Sequence, residues 1–227
     1  TWDSYPSYIV VKGLHLRNFN NGDSFTDARG LQRKAAQFNA CIWIDRGQNI
    51  EISDNVIDNC SMGIFTKSTN DGNFSVTANL VIKNNTFSNQ GVIGSDREHT
   101  TYTSGVNILY EFNIFYPPKP GALGNALKDR SAGLVVRYNE INEGAHSIDM
   151  VEAEDFPSIA LALPQYRKTF VYGNIINKTG DSGSAFHYGG DHFGAPPGAN
   201  WGETLLRQGV LYFWNNTVTL TGATARI

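Results

Sequence analysis

The chain is poor in charge, in cysteine and in methionine, and each scarcity removes a class of answers. Only 17% of its residues are charged, the formal net charge is −3, and neither terminus carries a run of one sign. A protein that grips a phosphate backbone needs a dense positive face, so nucleic acid is not the expected partner. No apolar run approaches the roughly 18 residues of a spanning helix. The chain opens TWDSYPSYIVV, without the basic and then apolar segment of an export signal. Two cysteines, Cys41 and Cys60, are too few for a disulfide framework. They leave two states open, a bridge between neighbouring repeats of an exported chain or two buried thiols.

Turn formers and β-branched residues are plentiful instead, with 23 glycines and 23 asparagines among 227 residues. Within that composition one pattern recurs: apolar-rich residues, two variable ones, then Asn, any residue, and an aliphatic or Phe. It ends at Ile57 (IEISDNVI), Phe87 (LVIKNNTF), Phe115 (ILYEFNIF), Ile141 (LVVRYNEI), Ile176 (TFVYGNII) and Val218 (LYFWNNTV). An earlier copy, IVVKGLHL, has Leu14 at the Asn position. Successive Asn positions lie 30, 28, 26, 35 and 42 residues apart, a variation that strands joined by unequal turns tolerate and stacked helices do not. Apolar and polar residues alternate with a period of two, so the repeats predict an all-β chain. Stacked copies running in one direction give parallel sheets about 4.8 Å apart from coil to coil. The spacing predicts one domain over 1–227, a solenoid of about seven coils with long loop inserts. Because the chain begins and ends inside repeat sequence, a segment of a longer solenoid without an N-terminal cap is expected.

The recurrent Asn suits a corner, where its amide reaches the equivalent Asn above and below and its backbone accepts a left-handed conformation. A second strand precedes it in each coil, aligned on Ile44, Phe65, Tyr102, Leu127, Ile148 and Phe186 as inward residues. The next residues then point outward: Asp45, Thr66, Thr103, Lys128, Asp149 and His187. Lys128, Asp149 and His187 are expected one above another, with Arg130 on the same side and Lys67 nearby.

These repeats resemble the right-handed parallel β-helix proteins of the pectate-lyase-like superfold. The segment from Gly124 to Ile141, GNALKDRSAGLVVRYNEI, resembles the part of chondroitinase-B-like and alginate-lyase-like polysaccharide lyases in which a Lys and a basic residue on the next coil act on a uronate. By that resemblance Lys128 is the matched lysine, and Asp149 stands where those lyases have an arginine. The resemblance implies an exported protein, secreted or periplasmic, whose partner is an acidic polysaccharide.

Breaking a uronate glycoside by β-elimination requires neutralising its carboxylate, a base for the adjacent proton and an acid for the leaving oxygen. Lys128, Arg130 and His187 are the expected catalytic groups, and Asp149, Lys67, Asp45 and His99 the expected substrate contacts. Unit charges about 4.8 Å apart at an effective dielectric of about 20 interact by roughly 3.5 kcal/mol, so Asp149 keeps Lys128 protonated. Two arrangements follow. Either Ca²⁺ sits on Asp149 with Glu152, Glu154 or Asp155 from the run VEAED, or Lys128 binds the substrate carboxylate while His187 takes the proton. His192 and Trp201 in the 189–209 insert, with Trp43, are further candidates for a cleft wall or sugar stacking. The same residues also admit plainer readings: a solvated face where Lys128 and Asp149 pair, or a non-catalytic β-helix scaffold, adhesin or carbohydrate-binding protein. A uronate C5-epimerase needs the same proton abstraction. A glycosidase needs a second carboxylate beside Asp149, which the column does not supply.

Overall fold

The computed structural model describes residues 2–179, 183–191, 205–222 and 226. The chain is all-β and passes through three sheets in turn, round after round. The first round holds β1 (Ser7–Lys12) and β2 (His15–Phe19), then an antiparallel hairpin of β3 (Ser24–Thr26) and β4 (Gln32–Lys34), then β5 (Ile42–Ile44). The second holds β6 (Gly47–Ser53), β7 (Val56–Cys60) and β8 (Ile64–Thr66). The third holds β9 (Thr77–Lys83), β10 (Thr86–Ser88) and β11 (Thr101–Thr103). The fourth holds β12 (Val106–Glu111), β13 (Ile114–Phe115) and β14 (Leu127–Asp129). The fifth holds β15 (Ala132–Arg137), β16 (Glu140–Asn142) and β17 (His146–Met150). An insert with a short helix, α1 (Pro157–Ala162), and a 3-10 turn (Pro164–Arg167) leads to β18 (Lys168–Tyr172), β19 (Ile175–Lys178) and β20 (Ser184–Tyr188). The last round holds β21 (Val210–Trp214) and β22 (Thr217–Leu220).

First strands of successive rounds form one seven-stranded sheet, second strands another, and third strands a six-stranded sheet. Every strand pair within these three sheets is parallel, as the repeat predicts. The core is built by like residues at like positions. Ile52, Ile82, Tyr110, Val136 and Val171 stack inward on the first sheet and Ile57, Phe87, Phe115, Ile141 and Ile176 on the second, all fully buried. Phe87 and Phe115 stack with ring centroids 4.7 Å apart. Each such aliphatic side chain contributes on the order of 1.5–3 kcal/mol when removed from water. Among the described residues no helix is long and apolar enough to cross a membrane.

The six recurrent asparagines form one continuous ladder at the corner between the first two sheets. Each Nδ2 donates to the Oδ1 of the Asn in the next round, from Asn55 to Asn85 (2.9 Å), Asn113 (3.1 Å), Asn139 (2.9 Å), Asn174 (3.0 Å) and Asn216 (2.9 Å). Each Oδ1 also accepts the backbone N–H one round below. The leucine that replaces Asn in the first copy joins the ladder only in this way, since the Leu14 N–H donates to Asn55 Oδ1 (3.0 Å). The left-handed residue at this corner is the one before the ladder Asn, which corrects the expectation. Gly13, Asp54, Asn84, Phe112, Tyr138, Gly173 and Asn215 have φ between 52° and 70°. The bend must precede the Asn so that its amide can point along the stack. Of the two states left open for the cysteines, the bridge is present: Cys41 and Cys60 are bonded, tying the end of the first round to β7.

Candidate functional site

On the third sheet the outward column reads Trp43, Phe65, Tyr102, Lys128, Asp149 and His187, each in register with the next. Lys128, Asp149 and His187 are therefore stacked on β14, β17 and β20. The first three positions differ from the sequence-based alignment, which placed Asp45, Thr66 and Thr103 there, by two residues at β5 and by one at β8 and β11. Thr66 and Thr103 point inward and are fully buried. Their hydroxyls are satisfied there, Thr66 by the Ser104 carbonyl (3.0 Å) and Thr103 by Asp129 Oδ1 (2.8 Å). Threonine has the shape of valine, so a bonded hydroxyl makes it a core residue, and the large aromatics turn outward. Asp45 lies past the end of β5, exposed, and accepts a bond from Trp43 Nε1 (3.0 Å). Lys67 is exposed just beyond β8; burial raises the Asp155 carboxyl above the usual range, against the charges of Arg130 and of Lys67.

Around Lys128 the side chains close into a buried charged cluster. Lys128 Nζ lies 2.5 Å from Asp191 Oδ2 and 3.1 Å from Asp149 Oδ2. Asn125 Nδ2 donates to the same Asp149 oxygen at 2.6 Å, and His187 Nδ1 bonds the other at 2.8 Å. Arg130 is more enclosed, with 3% of its side chain exposed. Its Nε meets the Tyr102 hydroxyl (2.7 Å) and Glu154 Oε1 (3.1 Å), and its Nη1 meets Glu152 Oε2 (3.4 Å). Its Nη2 meets both oxygens of Asp191, at 3.0 and 3.2 Å. A cleft of about 370 Å³ opens over this cluster, lined by Tyr102, Lys128, Arg130, Glu154 and Asp191 and walled by His99, Asp96 and Arg97.

The titrating groups are set apart by their surroundings. Burial pushes the Asp149 carboxyl up, but the bond from His187 and the charge of Lys128 outweigh it, so the group sits below the usual carboxylate range. His187 is displaced upward, chiefly by its bond to Asp149. That bond fixes its proton on Nδ1 in the neutral ring and leaves the lone pair on Nε2. His99 is pushed down to about 3, by burial first and by Lys128 next. Its Nδ1 accepts the Asn125 N–H (2.9 Å), so this ring is neutral and carries its proton on Nε2. Burial raises Tyr102 well above the ordinary phenol range.

Calcium does not fit the carboxylates expected to hold it. Glu152 and Glu154 both face the Arg130 guanidinium, and Asp149 faces Lys128, so a fixed cation already occupies the place between each pair. His146, Asp149 and His187 bring three donor atoms within 4.8 Å of one another. Two of the three form a hydrogen-bonded dyad, His187 on one oxygen of Asp149 with Lys128 on the other, while His146 Nδ1 bonds the Ser184 hydroxyl (2.8 Å).

Several residues of the site escape sequence reasoning. Asp191 reaches Lys128 and Arg130 from 63 and 61 residues away, and its only local signal is the preceding Gly–Gly pair. Arg207 and Asp129 form a fully buried ion pair (2.9 Å) beneath the cluster, 78 residues apart in sequence. Tyr102 was expected inward. Of the two long inserts, 154–168 after β17 and 189–209 after β20, the first supplies Glu154 and then packs Phe156, Ala160 and Tyr166 onto Ala132 and Val76. The other supplies Asp191, while His192 and Trp201 lie outside the described residues.

No protein-family model, curated protein or solved structure matches this chain.

Proposed function

We propose that the three sheets wind as a right-handed parallel β-helix and that the chain is an exported polysaccharide lyase cleaving a uronate-containing polymer by β-elimination. The rotation of the chain through three parallel sheets and the unbroken Asn ladder support the fold. The Cys41–Cys60 bridge supports export, because disulfides persist in oxidising compartments.

One observation carries the activity: Lys128 and Arg130 converge on a single carboxylate, with a carboxylate-held histidine beside them. In the proposed reaction that pair receives the uronate carboxylate and neutralises the charge that builds there as the neighbouring proton leaves. His187, oriented by Asp149, takes this proton on Nε2. The electron pair becomes the new carbon–carbon double bond, and the glycosidic C–O bond breaks. Tyr102 holds its proton because its pKa is raised, and gives it to the departing oxygen while Arg130 steadies the phenolate. His99, neutral and lining the cleft, donates a hydrogen bond to the sugar. No step is routed through calcium.

Ultraviolet absorbance during incubation with alginate, pectate, glucuronan, chondroitin sulfate and dermatan sulfate tests this reading. The unsaturated product should appear with one polymer class and be lost in Lys128→Ala and in His187→Ala. A flat trace with all five, from folded protein, would leave a C5-epimerase or a non-catalytic scaffold in its place.

A further inference from the structure

The carboxylate that Lys128 and Arg130 grip belongs to the chain itself. Asp191 Oδ2 lies 2.5 Å from Lys128 Nζ and 3.0 Å from Arg130 Nη2, and Oδ1 lies 3.2 Å from the same Nη2. This is the fork geometry in which an arginine holds a carboxylate. The cations are buried, with side chains 9% and 3% exposed, whereas Asp191 is 30% exposed and enters from the cleft side. Neither cation depends on Asp191 for charge compensation. Lys128 has Asp149, and Arg130 has Glu152 and Glu154. Four carboxylates already surround two cations, so a fifth, from a substrate, cannot be added beside Asp191; it must take its place. Asp191 is also anchored separately, its N–H bonding Glu152 Oε2 (3.1 Å), and the residue before it is Gly190, where a Cβ would fall 2.3 Å from Leu206.

We propose that Asp191 is a specificity-determining residue that fills the uronate-carboxylate receptor until a substrate carboxylate displaces it. This rests on the reading that Lys128 and Arg130 receive a uronate. A neutral sugar brings nothing to exchange for Asp191 and is refused, while an anionic one exchanges carboxylate for carboxylate. Affinity is then lowered by the fraction of molecules in which Asp191 holds the receptor.

Calorimetric titration of the full chain, as wild type, Asp191→Asn and Asp191→Ala, with oligogalacturonate, oligoglucuronate, oligomannuronate and their methyl esters tests it. For the uronate that wild type binds, both variants should bind about tenfold more tightly, and methyl esters should gain no such preference. Equal or weaker binding by the folded variants would overturn the proposal while leaving the uronate reading intact. Failure of both variants to fold would overturn it too, making Asp191 a structural counter-ion. Absence of uronate binding in all three proteins would remove the reading on which it rests.

Discussion

The amide ladder between the first two sheets and the charged cluster on the third are both buried polar arrays, and they are built on opposite principles. The ladder is neutral and self-complementary. Each Asn satisfies the next, so every added round extends the same bond pattern without a change of charge. The cluster is charged and is only partly closed by its own strands: Lys128 is paired by Asp149 on β17, but Arg130 is paired by Glu152 and Glu154 beyond β17, and Asp191 beyond β20 is an added carboxylate on both cations. Satisfied amides specify a fold, whereas charges completed from loops make a site whose partners can be exchanged.

Breaking the cluster at its most enclosed member should have the largest effect. Arg130→Ala leaves Glu152 and Glu154 facing a void, and removal of one partner from a buried ion pair costs about 3–5 kcal/mol. Urea unfolding monitored by circular dichroism measures it. Next comes the ladder: Asn113→Ala removes the acceptor of the Asn85 N–H and amide and the donor to the Ile82 carbonyl, a loss of about 2 kcal/mol. A second asparagine column, Asn49, Asn79 and Asn107, is linked by the same amide bonds but is exposed to water. Asn79→Gly in that column, a substitution that keeps the left-handed backbone there (φ 52°) free of strain, should cost no more than about 0.5 kcal/mol in the same assay. Equal costs would remove burial as the ladder's source of strength.

The smallest expected change is one of pH dependence. His187 must be unprotonated to act as a base, and its folded pKa is raised, so activity should climb as pH rises through a value above the ordinary 6.5. The sign for stability is opposite: the His187–Asp149 interaction stabilises fully below the unfolded pKa and fades as pH rises through the folded one. In Asp149→Asn the limb of the pH–rate profile should move to lower pH and the maximal rate should fall. An unmoved limb would show that another group is the base.

Much of this was legible in the sequence because it repeats. Six Asn-x-aliphatic copies place the ladder and predict parallel sheets, and Lys128, Asp149 and His187 fall in register because β14, β17 and β20 are matched by their inward Leu127, Ile148 and Phe186. The alignment slipped by one residue at β8 and β11, where it equated apolar with inward although the buried residues include hydroxyl-bonded threonines and the outward ones are aromatic; at β5 it slipped by two, so Ile44 still faces the core. Asp191 and Arg207 carry no repeat signal, since non-repeating chain brings them to the site.

The most direct test of the account is proton NMR of a polyuronate incubated with the protein, following the ring proton next to the carboxylate. Its signal should decay with wild type, with vinyl resonances of the unsaturated end growing in step, and should persist with Lys128→Ala. Persistence of that signal with folded wild-type protein and every polyuronate would contradict it.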